Sequence, residues 1–327
     1  MATTSMVEGV ALALGCSPEF LTRDLHLVPT TRPWLRAYAD ASRREADART
    51  AAATVAAEYI RRLNLVPLPD LLQPLTGDLS DDDAIDEAAA EIRQLAQIEP
   101  DGVVANALRA AERLGCVVLP LESELGRHLG MSVRADQIPI LCVAKNGIPG
   151  DRQRFTIAHE LGHLTLHGRA APPRTVTEAA RMEDEANRFA AAFLGPADPL
   201  LETLEAAGGR VTLGALAEVK AVWGISIKSL VGRYKSLGVI DVDHARSLYK
   251  QISSRKWSYA EPVDVPNETA QWLPRTLVRK AGIDDVAAAS QHLAASIGGN
   301  ADDLFGFANW LPRSEAPVLR LVGRERR

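Results

Sequence analysis

Cysteine is scarce in this sequence: 327 residues contain three, Cys16, Cys116 and Cys142. They are far apart and odd in number, and none falls in a Cys-x-x-Cys pair. That argues against a disulfide framework and a thiolate zinc knuckle. Each reads as a small buried apolar residue. Aromatic residues are also few, at 5%, while alanine is abundant, which favours a mostly helical protein over a β-sandwich. No apolar run approaches the ~18 residues that a membrane span needs. Met1 to Glu8 offers no basic stretch ahead of an apolar one, so no secretory signal is expected and the protein reads as cytoplasmic. Positive charge is not in excess: the net charge is −5. The whole chain is therefore not a basic nucleic-acid binder, though a local basic face stays open.

What is present is the composition of a globular protein, 46% hydrophobic and 24% charged. The length suggests two or three domains. A short helix over 7–14 turns at Gly15 and restarts at Ser17-Pro18-Glu19. A run of helix formers from Trp34 to Leu63 predicts one long helix or two, for packing or, alternatively, for a homodimer contact. Prolines make 64–80 a connector. Ser80 and the acidic residues after it start a helix to about Gln97, and a second follows over 103–114. Cys116–Leu119, Met131–Ala135 and Ile138–Ala144 read as three strands. Pro139 places the third at a sheet edge, or makes it begin after the proline. Helices are then expected over 152–167 and 177–194, with Gly195-Pro196 as a stop, and over 212–222, 227–237, 244–254, 268–281, 284–296 and 302–309. The expected fold is α+β and mostly helical. A small three-stranded sheet packs on the helix pair 152–167 and 177–194, between helical N- and C-terminal regions. The expected division is 1–79, 80–200 and 201–327.

The chemistry is concentrated in His159-Glu160-Leu161-Gly162-His163. Two histidines four residues apart on a helix differ by about 40° around the axis and about 6 Å along it. Both rings can therefore reach one ion. The glutamate after the first histidine points into the same cleft but not at the ion. There it can act as a general base toward the water the ion activates. Gly162 costs the helix about 1 kcal/mol relative to alanine, which a close backbone approach would explain. Phe155, Ile157, Leu161, Leu164 and Leu166 make the helix a buried one, where two unpartnered histidines and a carboxylate are expensive.

A third ligand is required. The position six residues after His163 is Arg169, which excludes the metzincin pattern. His167 lies one further turn along, where packing or support of another histidine suits it better than ligation. In the next helix, Ala186, Phe189, Ala190, Phe193 and Leu194 mark the inward face. Glu183 and Asn187 share that face. Glu185 is turned about 200° from Glu183. Glu183 is therefore the expected third ligand, and Asn187 the expected hydrogen-bond partner of a ligating histidine. Glu185 is the fallback ligand, with a solvated surface position as its ordinary reading. His128 and Arg152 are weak candidates for stabilising an oxyanion.

Arg154-Phe155-Thr156-Ile157-Ala158-His159-Glu160-Leu161-Gly162-His163, then Glu183-x-x-Ala186-Asn187-x-Phe189-Ala190 and Phe193-Leu194-x-Pro196, closely resembles the ImmA/IrrE metallopeptidase-like family. Gly195 stands where a methionine is common in that family. The resemblance implies Zn²⁺ on His159, His163 and Glu183, with Glu160 as general base. It implies a zinc-dependent endopeptidase that cleaves a regulatory protein, such as a transcriptional repressor, in a stress or mobile-element response. Ala11 to Leu21 looks like the end of a helix-turn-helix region of XRE-type regulators, with no complete such domain before Ala11. Val219 to Trp257 looks like their C-terminal helical part. The alternative is a transcription regulator or sensor with a non-proteolytic zinc domain, which binds DNA or a partner protein. Ser226, after the Gly224 turn, starts a helix with Lys228, Arg233 and Lys235 on it that would make such a contact.

Overall fold

The computed structural model describes residues 4–22, 43–66, 68–72, 82–121, 129–135, 137–168, 173–257 and 260–311. Three strands lie at its centre: β1 (Val117–Leu121), β2 (Gly130–Ala135) and β3 (Ile138–Ala144). They are apolar runs with few polar positions, as strands buried on both faces must be. Their order is β1-β3-β2, with β1 parallel and β2 antiparallel to β3. Alternate side chains point to opposite faces. Val118, Leu141 and Val143 join one apolar cluster, while Val117, Leu119, Ile140 and Cys142 join the other.

Helices cover both faces. The second cluster is closed by α3 (Arg43–Arg62) from the N-terminal part, together with α12 (Trp272–Ala281), α13 (Val286–Ile297) and α14 (Ala301–Ala308) from the far end of the chain. The first cluster holds α4 (Asp82–Leu95), α5 (Ala107–Arg113), α6 (Gly150–Leu166), α7 (Val176–Leu194), α8 (Ala197–Ala206), α9 (Leu213–Trp223), α10 (Ile227–Ser236) and α11 (Val242–Ser254). Two short helices, α1 (Thr4–Leu14) and α2 (Pro18–Thr22), precede these. The molecule is thus mostly helical with one small mixed sheet, an α+β fold. Among the described residues, no helix is long and apolar enough to cross a membrane.

Two expectations are corrected. The strand carrying Pro139 is not an edge strand but the central one. The proline is tolerated because the β1 ladder begins one residue later, at Val117 opposite Ile140, so Pro139 has only β2 beside it. Residues 140–144 are paired on both sides, so this strand cannot receive an extended substrate by strand addition. The sequence reading also missed α8. Gly195 ends α7, but Pro196 immediately caps the next helix, whose early positions tolerate a residue without an N–H. The first part of the long helix, 34–42, the helix start at Ser80, and His128 lie outside the described residues.

Candidate metal centre

The centre is built on two antiparallel helices that approach closely at one glycine. A Cβ on Gly162 of α6 would sit 3.2 Å from the Ala186 backbone and 3.1 Å from the Phe189 ring on α7. Ala186 and Phe189 are buried completely. This tight crossing sets His159 beside Asn187 and His163 beside Glu183. Gly162→Val would force the helices apart. We expect a stability loss of about 1–3 kcal/mol in urea unfolding. Metal affinity should fall with it, because Glu183 and Asn187 ride on the displaced helix.

His159, His163 and Glu183 each offer a ligand atom to one point, all within 4.8 Å of one another. The two Nε2 atoms are 3.0 Å apart, and the Glu183 oxygens lie 3.6 Å from His159 and 3.5 Å from His163. Two donors at ~2.0–2.1 Å on a tetrahedral ion are about 3.3 Å apart, so the three separations bracket that requirement. Protonation fits as well. His159 Nδ1 donates to Asn187 Oδ1 at 3.0 Å, which leaves its Nε2 lone pair bare. Bare imidazole nitrogens facing one another and a carboxylate repel unless a cation lies between them. Two imidazoles and one carboxylate suit zinc.

Electrostatics point the same way. Burial holds the His159 pKa down at about 4, helped by the neighbouring His163. Burial, then His167, holds His163 down at about 3. Both rings are therefore neutral at physiological pH, as metal binding requires. Glu160 is 5% exposed, and burial pushes its carboxyl up to about 8 against the pull of a hydrogen bond from Ser132. Ser132 Oγ donates to Glu160 Oε2 at 2.6 Å. Beside it, a Cβ on Gly130 would lie 2.4 Å from the Thr156 methyl and 3.2 Å from Glu160 Oε1, so only glycine lets β2 come this close to α6.

Neither Ser132 nor Gly130 was identified from the sequence. They act across 28 and 30 residues of chain, and no spacing rule reaches that far. Glu185 corrects an expectation outright. It is 1% exposed, not on the surface, and it accepts from His167 Nε2 at 2.9 Å. It lies against His167 at the end of α6, so a position turned away from the converging ligand atoms is still inside the protein. His167 sits at the end of α6, its Nδ1 3.0 Å from His163 Nδ1. It is not among the converging ligands. Arg152 is exposed on the first turn of α6, two turns from His159.

A cavity of about 770 Å³ opens where α6 and α7 meet α10 and α11. Asn187 forms part of its wall, along with Phe155, Tyr249 and Trp257 and the cations Arg152 and Lys228. No curated protein and no solved structure matches the chain. Residues 111–235, which contain the three strands, α6 to α9 and all but the last residue of α10, match the M78 peptidase family model described as the IrrE N-terminal-like domain, and so this stretch is an ImmA/IrrE metallopeptidase-like domain.

Proposed function

We propose that the protein is a zinc-dependent endopeptidase that cleaves a regulatory protein. The observation carrying this reading is the set of two neutral imidazoles and a carboxylate aimed at one point, with a buried glutamate next to them. His159, His163 and Glu183 hold the metal. When bound, zinc lowers the pKa of water toward ~7 and polarises the peptide carbonyl. Asn187 fixes the His159 ring through its Nδ1 proton. Ser132 holds the Glu160 carboxylate in one orientation, and Glu160 takes the proton of the attacking water and passes it to the leaving amine. Among the described residues β2 is paired on one side only, and its Gly130 and Ser132 touch Glu160. An extended substrate adding to that free edge would run past the general base. The cavity beside Asn187 takes an apolar substrate side chain against Phe155, Tyr249 and Trp257. A cytoplasmic repressor of a stress or mobile-element response is the substrate that the family resemblance favours.

The second reading is a regulator or sensor that keeps the metal without proteolysis. Its support is the helix pair α9–α10, joined through Gly224 in a left-handed conformation and capped by Ser226. Of the three cations on α10, Arg233 is spent inside the protein on Asp86 and the Gly195 carbonyl. Lys228 and Lys235 remain exposed for a phosphate contact. Salt-dependent binding of DNA by the purified protein would favour this reading.

Metal analysis followed by incubation with repressors encoded nearby separates the two. The expected result is one zinc per chain and cleavage of a repressor that stops when a chelator removes the metal. Zinc at 100 times its Kd should add about 2.7 kcal/mol to the folding stability of the metal-free protein. One zinc per chain without cleavage of any candidate favours the sensor, and absence of zinc binding overturns both.

A further inference from the structure

A metal-binding histidine must present a bare nitrogen, and the chain needs a device that decides which nitrogen of His163 that is. At His159 the Asn187 amide oxygen does it directly. At His163 the group facing Nδ1 is another imidazole, His167 Nδ1, at 3.0 Å. Two neutral rings meeting nitrogen to nitrogen leave the proton's place undetermined unless a further group fixes it. Glu185 is that group. Its Oε2 lies 2.9 Å from His167 Nε2, and its Oε1 lies 2.5 Å from Arg181 Nη1. His163, His167 and Glu185 are all at most 2% exposed, so water does not compete for these bonds.

The proton assignment then follows in one direction. A carboxylate facing a guanidinium can only accept, so His167 carries its proton on Nε2. A neutral imidazole has one N–H, so His167 Nδ1 is an acceptor. His163 must therefore place its own proton on Nδ1, and its Nε2 lone pair faces His159 and Glu183. Had His167 the opposite tautomer, His163 would present an N–H to the metal point. We propose that Glu185 and His167, steadied by Arg181, form a relay that locks His163 in the metal-binding tautomer. Both are positioning residues, acting through His163. The proposal rests on the metal reading above and adds what sets the affinity of the site.

The tautomer is read directly by long-range ¹H–¹⁵N correlation on histidine-labelled, metal-free protein. His163 is expected as the Nδ1–H form in the wild type and as a mixture in His167→Phe. Zinc affinity is read separately by competition with a chromophoric chelator. His167→Phe and Glu185→Leu should bind zinc roughly 10–100-fold more weakly. His167→Gln should recover most of that loss, because its amide oxygen can accept the His163 proton. An Nε2–H His163 in the wild type overturns the relay, and that measurement needs no variant to fold. So does a zinc Kd within about twofold of wild type in folded His167→Phe and Glu185→Leu. A folded His167→Gln as weak as His167→Phe also overturns it. A wild type that binds no zinc but shows the Nδ1–H form would sink the metal reading and leave the relay standing.

Discussion

Glu160→Gln is expected to retain one zinc per chain and to cleave its protein substrate at least ~10²-fold more slowly than wild type. The amide oxygen can still accept from Ser132 Oγ, and the replacement is the same size in a site where Gly130 leaves little slack. The loss then belongs to the proton transfer and not to a collapsed centre. A Glu160→Gln protein that cleaves at the wild-type rate would remove Glu160 from the mechanism. The same variant has a signature in the metal-free protein. Burial pushes the Glu160 carboxyl up to about 8, well above its ordinary 4.5. Between those values the folded state holds a proton that the unfolded chain has released. Folding is therefore disfavoured progressively as pH rises from about 4.5 to 8. Metal-free Glu160→Gln should melt above the metal-free wild type at about pH 8, with the gap closing toward about pH 5.

The largest loss of stability is expected from Glu268→Leu, far from the metal. Arg154 on α6 and Glu268 on the segment before α12 are each less than one-tenth exposed, and their side chains meet at 2.5 Å. Arg154 also donates to the Val104 carbonyl. Glu268 accepts the Leu108 N–H at the start of α5, and its own N–H goes to Gln153. One carboxylate thus ties α5, α6 and the late segment together. Removing it leaves a buried guanidinium without its counter-charge, at a cost of about 3–5 kcal/mol in urea unfolding. Arg154→Met combined with Glu268→Leu should recover most of that loss, since the unpaired charge is then gone. If the single variant unfolds at the wild-type urea concentration, the pair holds nothing together.

Two features of the centre show where sequence reasoning stops. The approach of β2 to Glu160 depends on Gly130 and Ser132, which belong to a strand that looks ordinary by itself. Glu185 is buried where it meets His167 at the end of α6. Helical phase turns Glu185 away from the point where His159, His163 and Glu183 converge, yet phase says nothing about what else covers a helix. Pro139 misled for a related reason. A proline disfavours a central strand only where a ladder bond is required of it, and here the β1 ladder starts one residue beyond.

By itself the sequence determined what a single helix enforces. Histidines four apart share a face of α6, the intervening glutamate is offset toward the cleft, and Glu183 and Asn187 share a face of α7. These relations follow from about 100° and 1.5 Å per residue and need no partner. It also determined the balance of helix and strand, through apolar runs and their periods. Tertiary structure alone decided the strand order, the covering of one sheet face by helices from both ends of the chain, and the supporting bonds of the centre. Those depend on contacts between segments 28 to more than 100 residues apart, as with Ser132 and Glu160 or Arg154 and Glu268. Such contacts are selected by packing volume and by the need to pair every buried charge, neither of which leaves a local spacing to read.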